Sequence, residues 1–131
     1  CLTLRILSDD IPKWNELGLP EEFINLSKLD KGLILCTGPT GSGKSTSLAA
    51  FINFILSNQS RHIITIEDPI EYKFAHSEKS IIHQREVKRD TASFSSALRA
   101  ALREEPDVIY IGEMRDLETI QLAILQQKLA I

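Results

Sequence analysis

The stretch Gly38-Pro39-Thr40-Gly41-Ser42-Gly43-Lys44-Ser45-Thr46-Ser47 decides how this chain is read. Three glycines in six residues suit neither a helix nor a strand interior, because glycine gives up backbone freedom there and packs nothing in return. A lysine set directly after the last glycine, with hydroxyl residues behind it, points to an anion. The spacing Gly38-x-x-x-x-Gly43-Lys44-Ser45 is a complete Walker A pattern. Each residue type has a reason. The glycines let the backbone turn with its N–H groups inward, making a nest for phosphate oxygens. Lys44 has the length to reach β- and γ-phosphates, and the Ser45 hydroxyl suits Mg²⁺. A helix starting at this point adds partial positive charge beneath the phosphates. The expected nucleotide loop is therefore Gly38, Pro39, Thr40, Gly41, Ser42, Gly43, Lys44, Ser45 and Thr46, with ATP and Mg²⁺ as the bound groups. A chance glycine turn with an incidental lysine is the alternative. At average glycine usage the full pattern arises by chance in a chain this long on the order of one time in a hundred or less.

The flanks pass the context test for this loop. GLILCTG before it reads as a short, fully buried strand, and Cys36 inside that run reads as a buried reduced thiol. After the loop, Leu48, Phe51, Ile52, Ile55 and Leu56 recur at helical spacing. Further along, His62 to Asp68 (HIITIED) is a second strand ending in acids, and Ser80 to Val87 fits a third. Phe94, Ala97, Leu98, Ala101 and Leu102 form a helical stripe with Ser93 as its N-cap. Pro106 leads into DVIYIGE, another apolar strand with an acid at its end. DLETIQLAILQQKLAI reads as a last helix capped by Asp116. At the front, Leu2 to Leu7 reads as a strand, and WNELGLPEEFINLSKL as two short helices around a Gly-Leu-Pro corner. Apolar strands alternating with helices imply an α/β fold with a mainly parallel sheet, and a P-loop within it implies a P-loop NTPase. Sites in such sheets gather at the carboxyl ends of the strands. Three of those ends carry chemical groups here: the glycine loop, Glu67-Asp68, and Glu113.

The two acidic strand ends are weighed together. P-loop ATPases commonly carry an Asp at the end of a second strand to hold Mg²⁺. The VIYI strand instead ends in Gly112-Glu113, so Glu113 is the better candidate for a water-polarising base or an outer-shell metal group. Pro69 stops the HIITI strand, which leaves Glu67 as a second catalytic candidate, helping to hold the metal or the attacking water. A lone acid of this kind is more often a solvated loop residue; two of them beside a P-loop reverse that preference. For Arg5, Arg99, Arg103 and Arg115, an arginine finger is one reading and a surface ion pair the commoner one. His62, His76 and His83 show no metal-ligand spacing, and strand-edge or surface histidine is the default for them.

Composition narrows the classes. The chain has 131 residues, one domain at most, with 43% hydrophobic and 25% charged residues, the balance of a globular protein. No apolar run approaches a membrane span, and no secretory signal pattern opens the chain. Its first residue is Cys1, so the N-terminus reads as an internal cut, and a cytoplasmic location is expected. The formal net charge of −3, without a basic stripe, argues against nucleic acid as the main partner, and with it against a DNA-handling RecA-type motor.

GPTGSGKST, IITIEDPIEY, QREV, SFSSALRAALREEPDVIYIGEMRDLETI and the corner IPKWNELGLP together resemble the type II/IV secretion and pilus motor ATPases, on their type IV pilus retraction (twitching motility) branch. The resemblance runs roughly from Leu2 to Ala123. It implies a RecA-like core, a homo-hexameric ring, and ATP hydrolysis that drives pilus retraction, or assembly and export in relatives. It also implies an inner-membrane platform protein as partner, without direct membrane insertion. By motif position, Glu67 to Glu71 would be the family's Asp box and Gly112-Glu113 its atypical Walker B, with Glu113 as base. Arg5 would stand where family arginines approach phosphate from a linker. Residues 1–10 would be the end of an N-terminal domain and its linker, and 11–131 a partial RecA-like domain. After Ala123 the family continues to a His box, whereas this chain reads ILQQKLAI; the core is expected to be incomplete at its C-terminus. A non-hydrolysing nucleotide-binding piece stands as the alternative.

Overall fold

The computed structural model describes residues 10–126 and 128–131; the expected strand at Leu2 to Leu7, with Cys1 and Arg5, lies outside them. A 3-10 turn over Trp14–Leu17 leads through Gly18 into helix α1 (Glu22–Ser27). Gly18 takes the left-handed conformation (φ 62°), which turns the chain at the Gly-Leu-Pro corner. Then follow β1 (Gly32–Leu33), α2 (Lys44–Asn58), β2 (His62–Glu67), β3 (Ile81–Glu86), α3 (Phe94–Leu102), β4 (Val108–Ile111), α4 (Leu117–Leu125) and β5 (Leu129–Ala130). The sheet order is β1-β5-β4-β2-β3, and every neighbouring pair is parallel. This is the expected mainly parallel α/β sheet.

Alternation along the strands sends residues to two cores. On one face Ile63, Val108, Tyr110 and Leu129 pack under Phe51, Ile52, Ile55 and Leu56 of α2, with Trp14, Phe23 and Leu26 covering the edge. On the other, Ile64, Ile66, Ile109 and Ile111 meet Ala97, Leu98 and Ala101 of α3 and Ala123 of α4. Because β2 and β4 are covered on both faces, they read as continuous apolar runs. Fully burying each of these isoleucines contributes about 1.5–3 kcal/mol.

Both expected caps are present. The Ser93 hydroxyl accepts from the Ser96 N–H at 3.1 Å, and an Asp116 carboxylate oxygen accepts from the Thr119 N–H at 2.8 Å. Ser93→Ala is expected to lower stability by about 1 kcal/mol, read as a shifted urea midpoint at unchanged slope.

Three expectations are corrected. The GLILCTG run is not fully buried: β1 spans only Gly32–Leu33 at the edge of the described sheet, and Leu35 is 61% exposed. Cys36, expected to be buried, is a free and exposed thiol for the same reason. An apolar run marks a strand but does not say whether a neighbour covers both its sides. The last helix stops at Leu125, and Leu129–Ala130 enter the sheet between β1 and β4. There Leu129, Ala130 and Ile131 are buried, so burial in the sheet overrides the helical spacing of the tail.

Candidate functional site

The carboxyl ends of β1, β2 and β4 open onto one cavity of about 590 Å³. Its floor is the glycine loop and the first turn of α2: Thr40, Gly41, Gly43, Lys44, Ser45 and Thr46. Its walls include Glu67 and Asp68 from the end of β2, Tyr110 from β4, and Gly112 and Glu113 beyond β4. The three strand ends singled out in the sequence therefore meet at one place.

The loop's shape depends on its glycines. Gly41 and Gly43 have φ of 81° and 87°, a region that side chains strain to adopt. At Gly38, with φ 155°, a Cβ would stand 2.9 Å from the Ser42 hydroxyl oxygen. Gly38, Pro39 and Ser42 form the base of the loop rather than the cavity wall. The Ser42 hydroxyl donates to the Pro39 carbonyl at 2.8 Å, and Lys44 Nζ donates to the Gly38 and Pro39 carbonyls at 2.8 and 2.7 Å. The ammonium group is thus held over the loop by two neutral acceptors. Among the described residues no side chain caps α2, which leaves the orphan N–H groups of its first turn to an anion. Thr46 points its hydroxyl elsewhere, to the Tyr72 hydroxyl at 2.9 Å.

Glu67 is the buried acid of the site, 6% exposed. Its carboxylate accepts from the Thr65 hydroxyl at 2.8 Å and the Gln84 amide at 3.3 Å, and the same amide donates to the Tyr72 carbonyl at 2.8 Å. Burial pushes the Glu67 carboxyl above the ordinary glutamate range; the hydrogen bonds from Thr65, Gln84 and the Glu71 backbone oppose this without cancelling it. Beside it, burial and the nearby Glu67 and Glu71 charges push the Tyr110 hydroxyl upward, so it stays protonated. A raised carboxyl pKa means that the folded state binds the proton more tightly than the unfolded chain. Below the ordinary glutamate value both states are protonated and Glu67 costs nothing. As pH rises through the raised value, the fold comes to carry a buried charge and loses stability. Glu67→Gln is therefore expected to raise the melting temperature at neutral pH. That gain should shrink as pH falls toward 4.5 and vanish below it, in paired thermal melts.

Glu113 differs from Glu67 in being partly exposed, and its carboxylate pairs with Arg115 at 2.6 Å. Gly112, which precedes it, lies close against the end of β2. Its N–H donates to the Ile66 carbonyl at 2.8 Å, and a Cβ there would lie 3.3 Å from that carbonyl and 3.7 Å from Glu67 Cγ. The tightest contact a side chain at position 112 would meet is thus the Ile66 backbone carbonyl, with Glu67 Cγ at ordinary packing distance. The other acids of that cluster, Asp68 and Glu71, also line the cavity.

Of the arginines weighed from sequence, Arg115 pairs with Glu113 and lines the cavity, while Arg99 pairs with Glu118 away from it. Sequence reading missed Thr65, Gln84 and Tyr72, which orient Glu67 and Thr46. Thr65 and Gln84 are register partners across β2 and β3, a relation that spacing along one strand does not reveal.

Two acids and a lysine-bearing glycine loop at the carboxyl end of a parallel sheet define a P-loop protein with a RecA-like core. The chain belongs to the type II/IV secretion system protein family, whose pattern matches residues 1–128. It is 54% identical over 121 residues to the type IV pilus retraction ATPase PilT of Pseudomonas aeruginosa, covering 92% of this chain and 35% of that protein. Among solved structures, the pilus retraction motor PilT with bound ADP matches at a TM-score of 0.92 and 56% identity, over 96% of this chain and 37% of that one. The ATPase DotB of Legionella pneumophila matches at 0.89 and 34% identity, over 96% of this chain and 36% of that one. The chain thus spans about a third of the length of these relatives. No helix among the described residues is long and apolar enough to cross a membrane.

Proposed function

We propose that this chain is the ATP-binding core of a ring-forming motor ATPase that hydrolyses ATP to drive type IV pilus retraction. The observation that carries the reading is the meeting of Lys44, Glu67 and Glu113 around one cavity at the strand ends. Kinship with a retraction ATPase and with a motor that holds ADP supports it.

In this reading the loop amides from Gly41 to Thr46 and the Lys44 ammonium bind the phosphate tail, and Gly38, Pro39 and Ser42 keep the loop in shape. Among the described residues the ammonium has only neutral carbonyls to leave, so phosphate oxygens replace them with charge-assisted bonds. Glu113 acts as general base on the attacking water, and Arg115 holds its carboxylate in place. Glu67 stands beside Gly112, where related ATPases have a metal-holding Asp. The donor set fits Mg²⁺: the Ser45 hydroxyl and the Glu67 carboxylate are hard oxygen ligands on the same cavity. When bound, the ion neutralises developing charge on the phosphates. A homo-hexameric ring, attachment to an inner-membrane platform protein and a cytoplasmic location complete the proposal, with no role for nucleic acid.

Isothermal titration of ATP with Mg²⁺ into the purified protein, paired with a phosphate-release assay, tests the reading. Saturable binding with release supports it. Binding without release supports the alternative, a nucleotide-binding piece that does not turn over, and absence of binding overturns both.

A further inference from the structure

At the other end of the sheet, away from the glycine loop, two histidines and a glutamate come together. His62 opens β2, His83 lies on the neighbouring β3, and Glu104 follows the end of α3. One ligand atom from each lies within 4.8 Å of the other two. The imidazole rings meet edge-on, with centroids 5.4 Å apart, and His83 Nδ1 stands 3.9 Å from a Glu104 carboxylate oxygen. The other Glu104 oxygen is hydrogen-bonded to Arg85. Asp107, three residues beyond Glu104, is engaged with the His62 backbone N–H at 2.8 Å.

One feature separates this group from an ordinary surface cluster. His62 Nε2 is buried and has no hydrogen-bond partner among the described residues. Leaving such a group unsatisfied is costly, and native folds rarely do so without a reason. An imidazole nitrogen deprived of water and of protein donors is well prepared to hold a metal ion. Two imidazoles and a carboxylate are a donor set suited to zinc and other first-row divalent ions.

We propose that His62, His83 and Glu104 form a binding site for a divalent transition-metal ion of the zinc class. Ligand atoms on tetrahedral zinc stand about 3.3 Å apart. Closing from 4.8 Å calls for side-chain adjustment, which the exposure of His83 and Glu104 accommodates. Solvent access through these two side chains leaves a fourth position for water. Glu104 offers the metal one oxygen and keeps the other on Arg85, which fixes the carboxylate and offsets part of its charge. The ion would tie β2, β3 and the connection from α3 to β4 together at the strand starts. It plays no part in holding nucleotide, so its presence or absence leaves the proposed function standing.

The test is titration of ZnCl₂ into chelator-treated protein, followed calorimetrically, with a thermal melt at each metal level. A single saturable site that raises the melting temperature is expected. His83→Asn should remove both effects, and its circular dichroism should match the parent because His83 is exposed at the sheet edge. Glu104→Gln, which keeps a hydrogen-bond acceptor for Arg85, should weaken binding as well. Cys36→Ser should leave binding intact. Unchanged zinc affinity in both His83→Asn and Glu104→Gln, loss of binding in Cys36→Ser, or no saturable binding at all would each overturn the site.

Discussion

Lys44→Ala is expected to weaken ATP binding by at least about a hundredfold, close to abolishing it at working concentrations. Among the described residues, Lys44 Nζ is hydrogen-bonded only to the Gly38 and Pro39 carbonyls of its own loop, which are exposed and can be hydrated when the ammonium is gone. The melting temperature without nucleotide should therefore stay near that of the parent. The loss falls instead on the complex, where phosphate charge sits against the α2 N-terminus with its strongest cation missing. A hundredfold loss corresponds to about 2.7 kcal/mol, within the range for truncating one partner of a hydrogen-bonded charge pair. Affinity measured by titration with a fluorescent ATP analogue checks the first half, and a melt without nucleotide the second. A Lys44→Ala protein that binds ATP like the parent removes the glycine loop from phosphate recognition.

Glu113→Gln should do the opposite: keep nucleotide affinity and lose turnover. Glutamine preserves the shape and an acceptor for Arg115 but cannot take a proton, so the general-base contribution, about 10²–10⁴-fold, disappears from kcat. Glu67→Gln is distinguishable from it. Because Glu67 is buried and bonded to Thr65 and Gln84, its substitution changes the pH dependence of stability, whereas Glu113→Gln does not touch that network. Phosphate release at saturating ATP, with affinity measured on the same preparation, checks the split. Unchanged turnover in Glu113→Gln would take the base role away from this residue.

The parts of the molecule that depend on local order were legible in the sequence. The Gly38 to Thr46 loop, the runs HIITI and VIYI, and the Ser93 and Asp116 caps are all determined within a few residues of themselves. What depends on neighbours was not. GLIL reads as buried because its residues are apolar, but β1 has only β5 beside it in the described sheet, and Leu35 and Cys36 are consequently exposed. LAI at the end of the chain continues a helical spacing, and only the gap between β1 and β4 makes it a strand. The Glu67 network has the same character. Thr65 lies two residues before Glu67 on the same strand face, but Gln84 reaches it through the register of β3. The register likewise brings His62 and His83 together, although they are 21 positions apart in the sequence. Gly112 is the instructive middle case. Its departure from Asp was visible in the sequence, whereas its close approach to the Ile66 carbonyl was visible only in the fold.

A crystal structure of the protein with Mg²⁺ and a non-hydrolysable ATP analogue tests the central claim most directly. The account predicts triphosphate over the Gly41–Thr46 amides, with Lys44 Nζ moved from the Gly38 and Pro39 carbonyls onto phosphate oxygens and the Glu67 and Glu113 carboxylates facing the same group. Nucleotide bound elsewhere, or Lys44 still held by the loop carbonyls beside a bound triphosphate, would contradict it.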